Sequence, residues 1–180
     1  MNSKLVIGLA LVVVLVLSGC TSSSSSSANT SNPPNSPSSS GAAIKTYSAG
    51  EPFTIGDLTF TLNGIDEADA LGSEYAGETT EGMYYIVEFT VLNNGSSEKS
   101  LLPTSDFSFV SDKGQTFKPD LGLSVYASMS GYDMFAAIEK LPPGIPKTGS
   151  IVFEMPKEIT GKIKVRPDSF GQEVYVKLGS

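Results

Sequence analysis

MYYIVEFTVLN, at positions 83–93, is the strongest β-strand signal in the chain. Successive side chains of a strand point to opposite faces, so alternating residues share an environment. A strand that is apolar on much of both faces lies centrally in a sheet, so we expect this segment to be the core strand. One face carries Tyr85, Val87, Phe89 and Val91, and the other carries Tyr84, Ile86 and Leu92, interrupted by Glu88 and Thr90.

Shorter alternating segments flank this strand, and each stops at a turn signal. Eight or nine short strands with turns about every 8–12 residues are typical of a β-sandwich, with a barrel as the alternative. No helical segments of 10–15 residues alternate with them, which disfavours a parallel sheet with crossover helices. The segments are residues 53–55, 58–62, Leu101-Leu102 before Pro103, 107–111 and 115–117 around Asp112-Lys113-Gly114, 148–155, 163–165 and 174–178.

Four motifs follow this pattern in order: GMYYIVEFTVLNNG at 82–95, DFSFVSDKGQTF at 106–117, LPPG at 141–144 and IVFEMP at 151–156. Together they resemble a family of uncharacterised extracytoplasmic domains, common on bacterial and archaeal lipoproteins and similar to a secreted mycobacterial immunogen. The resemblance covers about residues 50–178 and implies an immunoglobulin-like antiparallel β-sandwich, with no reaction. Ile145-Pro146-Lys147 departs from the family pattern, which leaves the start of the next strand open.

The first residues have the layout of an export signal. Lys4 precedes an apolar run at 5–17, and Leu17-Ser18-Gly19-Cys20 closes it. These four residues resemble a lipobox, in which the leader is cut before a cysteine that carries a diacylglycerol. A membrane-spanning helix needs about 20 apolar residues, more than this run offers, and a plain secretory signal needs no cysteine. We therefore expect a signal peptide over 1–19 and a lipid anchor on Cys20 at the extracytoplasmic face of the cell membrane.

The segment after Cys20 is polar and repetitive. Residues 21–43 contain only Ser, Thr, Asn, Pro, Gly and Ala. Such a composition lacks the apolar area that offsets the entropy of ordering. We therefore expect a flexible tether over 20–44 and one sandwich domain over 45–180. Because the chain has one cysteine, its core and not a disulfide must stabilise that domain.

The net charge argues against nucleic acid as a partner. Removal of the leader takes away Lys4, so 11 − 19 gives a mature charge of −8. Phosphate backbones and anionic lipid headgroups both attract clustered Lys and Arg, and no such cluster is present. The acyl chains are thus the expected contact with the membrane.

Catalytic patterns are sparse. Histidine is absent and Cys20 is expected to be lipidated, so nucleophile systems and metal sites that need either residue are excluded. A carboxylate pair for glycoside hydrolysis is the remaining option, but no pair stands out.

Residues 66–81 form an acidic segment, interpreted as a solvated loop between strands. Calcium prefers such oxygen ligands, and Asp66, Glu67 and Asp69 are a weak candidate site for it. The D-x-D-x-D-G spacing of a calcium loop is missing, so we expect no metal cofactor.

Residues 118–140 form a second long insertion, in which 132–140 fits one or two helical turns. Its Tyr, Met and Phe side chains are types enriched at interface cores, but they also fit a cap over one end or edge of the sandwich. If the protein has a partner, this loop is the candidate contact. The residues are Tyr126, Met129, Tyr132, Met134 and Phe135.

These patterns favour a lipid-anchored, non-catalytic binding module with an unknown protein or small-molecule ligand. The alternatives are a structural envelope lipoprotein without a specific ligand and, less favoured, a carboxylate-based hydrolase. Because one fold hosts many functions, the ligand does not follow from the fold.

Overall fold

A computed structural model describes residues 44–167 and 171–178. The predicted signal peptide, Cys20 and the predicted tether up to residue 43 lie outside the described residues. The described residues all belong to one compact unit, Gly41–Ser180. None of its described helices has the length and apolar character needed to span a bilayer.

The described chain forms eleven strands and two short helices. The two helices interrupt the strand order after β5 and after β7. In chain order the elements are β1 (Thr46–Tyr47), β2 (Phe53–Ile55), β3 (Leu58–Ser73), β4 (Ala76–Asn93), β5 (Lys99–Leu101), α1 (Pro103–Asp106), β6 (Phe107–Ser111), β7 (Thr116–Phe117), α2 (Leu121–Met129), β8 (Glu139–Leu141), β9 (Lys147–Met155), β10 (Gly161–Val165) and β11 (Val174–Lys177).

Two sheets build the sandwich. The five-stranded sheet has the order β1-β11-β10-β6-β7, and the four-stranded sheet has the order β2-β3-β4-β9. A short β5-β8 pair lies beside them. The named strands pair antiparallel except β1, which runs parallel to β11 through two residue pairs, Thr46–Tyr175 and Tyr47–Val176. The predicted β-sandwich is therefore confirmed.

β4 is the central strand that its sequence predicts, because it pairs with β3 on one side and β9 on the other. The inward faces of both sheets meet in one apolar layer, which we call the main core. Phe89 from β4 and Phe107 from β6 meet across it with ring centroids 4.9 Å apart. Both side chains are 0% exposed, so alternation along the strands places them where the two sheets face each other.

A buried asparagine closes one end of β4. Asn93 is 0% exposed, and its amide group donates to the carbonyls of Ser97 and Leu141, both at 2.8 Å. Its side-chain oxygen accepts from the backbone N–H of Gly95 at 2.9 Å. One polar side chain thus satisfies its buried hydrogen-bonding groups while fixing the turn after β4 against β8.

Two expectations about connections are wrong. The acidic segment 66–81 is not a loop, because β3 continues to Ser73 and β4 already begins at Ala76. The helix of the second insertion is α2, at Leu121–Met129 and not at 132–140. Residues 132–140 instead contain a bridge from Met134 to Ser150 and the start of β8. The strand after Ile145-Pro146 begins at Lys147.

Candidate functional site

The far half of the β3–β4 hairpin, residues 66–81, is a two-stranded extension that we call the ribbon. β2 pairs with β3 only as far as Phe60, and β9 pairs with β4 only from Met83 onward. At its base, residues 66–68 pair with residues 84–86 of β4, and beyond the bulge residues 70–73 pair only with 76–79, down to the last pair, Ser73–Ala76. Glu74 and Tyr75 make the turn. The ribbon is an arm that projects beyond both neighbouring strands of its sheet.

A bulge decides which ribbon side chains face the protein. The pairing register shifts between Ala68 and Ala70, where Asp69 stands opposite four residues of β4, 80–83. Strict alternation would put Leu71 on the face opposite Ala68, because the side-chain period of a strand is two. The irregular pairing at the bulge brings Leu71 onto the same face, where it is 3% exposed. The bulge thus gives the ribbon an apolar contact point.

The β4 side of the bulge is held by hydrogen bonds. Thr80 donates from its hydroxyl to Glu154 Oε1 at 2.6 Å and accepts from the backbone N–H of Gly82 at 3.0 Å. A β-carbon at Gly82 would lie 2.5 Å from the carbonyl oxygen of Met155. Only glycine therefore lets the chain pass this close to the end of β9.

Two facing glycines let the ribbon strands approach near the tip. Gly72 pairs with Gly77 and has a φ of +114°, a backbone conformation that favours glycine. A β-carbon there would clash with the carbonyl of Ala76, and one at Gly77 would lie 2.8 Å from the carbonyl oxygen of Leu71. The close approach of the two strands near the tip therefore requires glycine at both positions.

Helix α2 covers the outer face of the four-stranded sheet. Asp120 caps its N-terminus by accepting from the backbone N–H of Gly122 at 2.7 Å. Gly131, with a φ of +97°, follows its C-terminus, and the backbone N–H of Tyr132 then donates to the carbonyl of Ala127 at 3.1 Å. The helix adds a third layer to the two sheets.

A second apolar cluster, which we call the outer cluster, lies between this helix and the sheet. It joins ribbon, sheet and helix. Its buried members are Leu71, Tyr84, Ile86, Leu123, Ala127 and Val152, and its partly buried members are Ala68, Tyr126, Tyr132 and Met134.

The helix end also binds the ribbon directly. The backbone N–H of Gly72 donates to Ser130 Oγ at 2.8 Å, and that oxygen lies 3.4 Å from the carbonyl oxygen of Gly72. With Leu71 beside it, the ribbon is fixed to α2 close to its tip. It is therefore a supported arm.

Tyr132 links the outer cluster to the base of the ribbon. Burial raises the pKa of its hydroxyl, and the charge and hydrogen bond of Asp66 raise it further. The hydroxyl thus stays protonated at neutral pH and donates to the Asp66 carboxylate.

The predicted partner-binding residues fall in three environments. Phe135 is 4% exposed in the main core. Tyr126, Tyr132 and Met134 pack in the outer cluster, and Met129 is 51% exposed on α2, one turn from Val125 at 57%. The five residues do not form one surface. Partner binding at this insertion stays a prediction, and it concerns the outward side of α2.

The weak calcium candidates are not brought together. Asp66 contacts Tyr132 on the outer face of β3, whereas Glu67 pairs across the strands with Tyr85, whose side chain is in the main core. Asp69 lies in the bulge. In residues 44–167 and 171–178, no three His, Cys, Asp or Glu side chains gather as metal ligands would.

Sequence reasoning missed the most exposed aromatic side chain of the described chain. Tyr75, at the ribbon tip, is 93% exposed. Around it, the ribbon carries six acidic residues and no basic one. A two-residue turn between strands, Glu74-Tyr75 flanked by Ser73 and Ala76, lacks the Asn-Gly or Asp-Gly signal that marks such turns.

One protein family and a related bacterial protein match this chain. The family described as a domain of unknown function, DUF4352, matches residues 47–174. The uncharacterized protein YxkC of Bacillus subtilis (strain 168) is 27% identical over 141 residues, which cover 74% of this chain and 76% of that protein.

Two solved structures have the same fold. The yjhA protein of Bacillus subtilis superposes with a TM-score of 0.57 at 18% identity, over 73% of this chain and 98% of that one. The secreted protein MPT63 of Mycobacterium tuberculosis gives 0.52 at 16% identity, over 77% and 100%. The resemblance to a secreted mycobacterial protein is confirmed, and the shared sandwich extends over nearly all of these two solved chains.

Proposed function

The chain belongs to the DUF4352 family, described as a domain of unknown function, and we propose that it is a non-catalytic interaction module displayed outside the membrane. A lipid on Cys20 holds it there, and the ribbon is the part that meets a partner protein. The alternative is a structural envelope lipoprotein that displays the same domain without a ligand.

The location is supported by two independent signs. Leu17-Ser18-Gly19-Cys20 follows an apolar leader directly, as a lipobox does. MPT63, which shares the fold, is described as secreted. Two acyl chains on one cysteine would anchor the chain stably, because each buried CH₂ contributes about 0.8 kcal/mol.

The exposure of Tyr75 is the main reason to propose the ribbon as the part that binds a partner. Large apolar or aromatic side chains on a supported, protruding element are the anchors that fill pockets in a partner. The 93% exposed ring of Tyr75 has no role in packing its own domain. Leu71 and Ser130 hold the tip in place, so little ordering entropy is lost when it binds.

The charge of the ribbon suggests the chemistry of the partner. The ribbon carries six carboxylates and no Lys or Arg between residues 66 and 81, and Glu74 and Glu78 are the ones nearest to Tyr75 in the sequence. Complementary potentials guide association and exclude partners of like charge. A protein surface with a basic rim around an apolar pocket therefore fits best.

The non-catalytic assignment is supported by the residues that the chain contains. It has no histidine, and its one cysteine stands at the lipidation position. A hydrolase would need two carboxylates placed about a shared substrate. On the ribbon, Asp66 is instead engaged by Tyr132.

Photo-crosslinking from the ribbon tip tests the partner proposal. A photoreactive phenylalanine analogue replaces Tyr75 in intact cells, and the same analogue at Lys113, exposed in the turn between β6 and β7, serves as the control. We expect one discrete crosslinked product from position 75 that weakens when Glu74 and Glu78 are changed to Gln, and none from position 113. The same product from both positions, or none from either, would favour the structural alternative.

Fractionation tests the anchor separately. Cys20→Ser should leave the membrane fraction or accumulate as an uncut precursor. Normal processing and detergent extraction of that variant would rule out the lipobox.

A further inference from the structure

A cavity of about 440 Å³ opens at the end of the sandwich where the hairpin leaves the main core. Ile65, Ile159 and Leu178 line it and pack against the main core from its edge, each partly exposed. Small-ligand sites typically have volumes of about 300–1,000 Å³ and largely apolar walls. The cavity is large enough for a short alkyl chain.

Two polar side chains stand together on its wall. Glu67 and Tyr85 are directly opposite each other on β3 and β4, and both line the cavity. The Tyr85 hydroxyl makes a long hydrogen bond of 3.5 Å to the carbonyl of Pro156. Glu67 takes part in none of the four ion pairs found in the described residues. Of the described side chains that line the cavity, Glu67 is the only charged one.

The surroundings of the Tyr85 hydroxyl are negative. Burial raises the pKa of this hydroxyl, and the charges of Glu67 and then Glu158 raise it further. Backbone hydrogen bonds at Ile159 and Glu158 act in the opposite direction, and the pKa stays raised. The phenol is therefore neutral at neutral pH and can accept a hydrogen bond, while Glu67 supplies the charge. A cation is favoured at this wall and an anion is disfavoured.

Gly64 forms part of the cavity wall through its backbone. It pairs with Glu88, whose carboxylate accepts from the Asn63 amide at 2.9 Å on the outer face of the hairpin. Because directly paired residues of neighbouring strands share a face, a side chain at Gly64 would point away from the cavity. The chemistry of the cavity is therefore set by the side chains of Glu67, Tyr85 and the three apolar residues.

We propose that this cavity binds a small aliphatic ammonium ion. The alkyl chain lies against Ile65, Ile159 and Leu178, and the ammonium group meets the carboxylate of Glu67 and the oxygen of Tyr85. This site lies inside the sandwich end and is independent of the partner proposed for the ribbon tip.

The test uses residues Gly41–Ser180, since these residues form one compact unit with its own apolar core. Butylammonium, hexylammonium, hexanol and hexanoate are titrated in turn, and the amide chemical shifts of Gly64 and Ile65 are followed by NMR. We expect saturable shifts with the two ammonium ions and about fourfold tighter binding per added methylene. Hexanol should bind more weakly than hexylammonium, and hexanoate should not bind.

Two variants locate the site. Glu67→Gln should weaken hexylammonium binding at least tenfold, whereas Asp69→Asn, two residues along the strand and outside the cavity wall, should leave it unchanged.

The proposal fails if no ammonium shift saturates, if hexanoate binds as tightly as hexylammonium, or if Glu67→Gln and Asp69→Asn have equal effects. Crosslinking from position 75 reports on a different surface, so either proposal can fail alone.

Discussion

In the near half of the β3–β4 hairpin, Leu62 and Phe89 pair across the strands and are both 0% exposed between the two sheets. In the far half, the ribbon, Leu71 is the one buried side chain. The near half is stabilised on its inner face by the opposite sheet, and the far half by a single helix. A two-stranded hairpin is marginal alone in water, so the ribbon depends on α2 as the near half depends on the core.

The largest expected effect lies in the near half. Phe89→Ala removes a fully buried ring and its contact with Phe107, and such truncations cost about 3–5 kcal/mol. Urea denaturation should show this loss as a lower midpoint at constant slope. Tyr75→Ala, at the exposed tip, should stay within about 0.5 kcal/mol of the parent. If the two variants lose stability equally, the proposed contrast between the halves is wrong.

A smaller effect is expected where the ribbon meets the outer cluster. Leu71→Ala should cost about 2 kcal/mol, at the low end for a buried leucine, because α2 covers the cluster from one side only. Amide hydrogen exchange should speed up in residues 66–81 and stay slow in β4 beyond Met83. Uniform acceleration through both halves would mean that the ribbon and the core unfold together.

Ser130→Ala should have a weaker, more local effect. It removes the oxygen that accepts from the Gly72 N–H, a hydrogen bond worth about 1 kcal/mol. Ser128→Ala is the matched control, since its hydroxyl bonds within the helix to Ser124. Thermal melts and ribbon exchange rates of the two variants should differ. Equal melting temperatures and equal ribbon exchange rates in the two variants would show that the end of α2 does not support the ribbon.

The smallest effect concerns alkaline pH. Burial raises the pKa of Tyr132 and of Tyr84, with further raising by nearby carboxylates. A raised folded-state pKa means that the native state holds its proton more tightly than the unfolded chain does. This contribution is therefore complete below the pKa of an unfolded tyrosine, about 10, and is lost as pH rises above it. Melts between about pH 9 and 11 should show a shallower decline for Tyr132→Phe than for the parent. An unchanged decline would contradict the role of the Asp66 contact.

The same contrast explains which parts of the fold could be predicted. In the near half, burial between sheets imposes apolar alternation, so residues 83–93 indicate a central strand. The ribbon has no such alternation, because only Leu71 needs an apolar environment and a bulge moves it out of phase. Its glycines and carboxylates suit a loop equally well. A register shift within a strand pair cannot be seen in composition.

Helix α2 was missed although its ends carry signals. Asp120 stands at the N-cap and Gly131 just past the C-terminus, but Gly122 and the serines of this segment are weak helix formers. The helix is therefore stabilised by its packing in the outer cluster. The candidate residues were ambiguous for a related reason: Phe135 belongs to a residue type that serves cores and interfaces alike.

β1 has a mechanical consequence for a domain held through the residues before Ile44. Two parallel pairs with β11 and the stacking of Tyr47 on Phe53, with centroids 5.1 Å apart, are its attachments. A pull on the residues before Ile44 would therefore strip β1 first and leave β2 to β11 paired. The seven residues 46–52 would then release about 20 Å of extra length. The first strand is therefore the part of the sandwich that yields first to a pull from its N-terminal side.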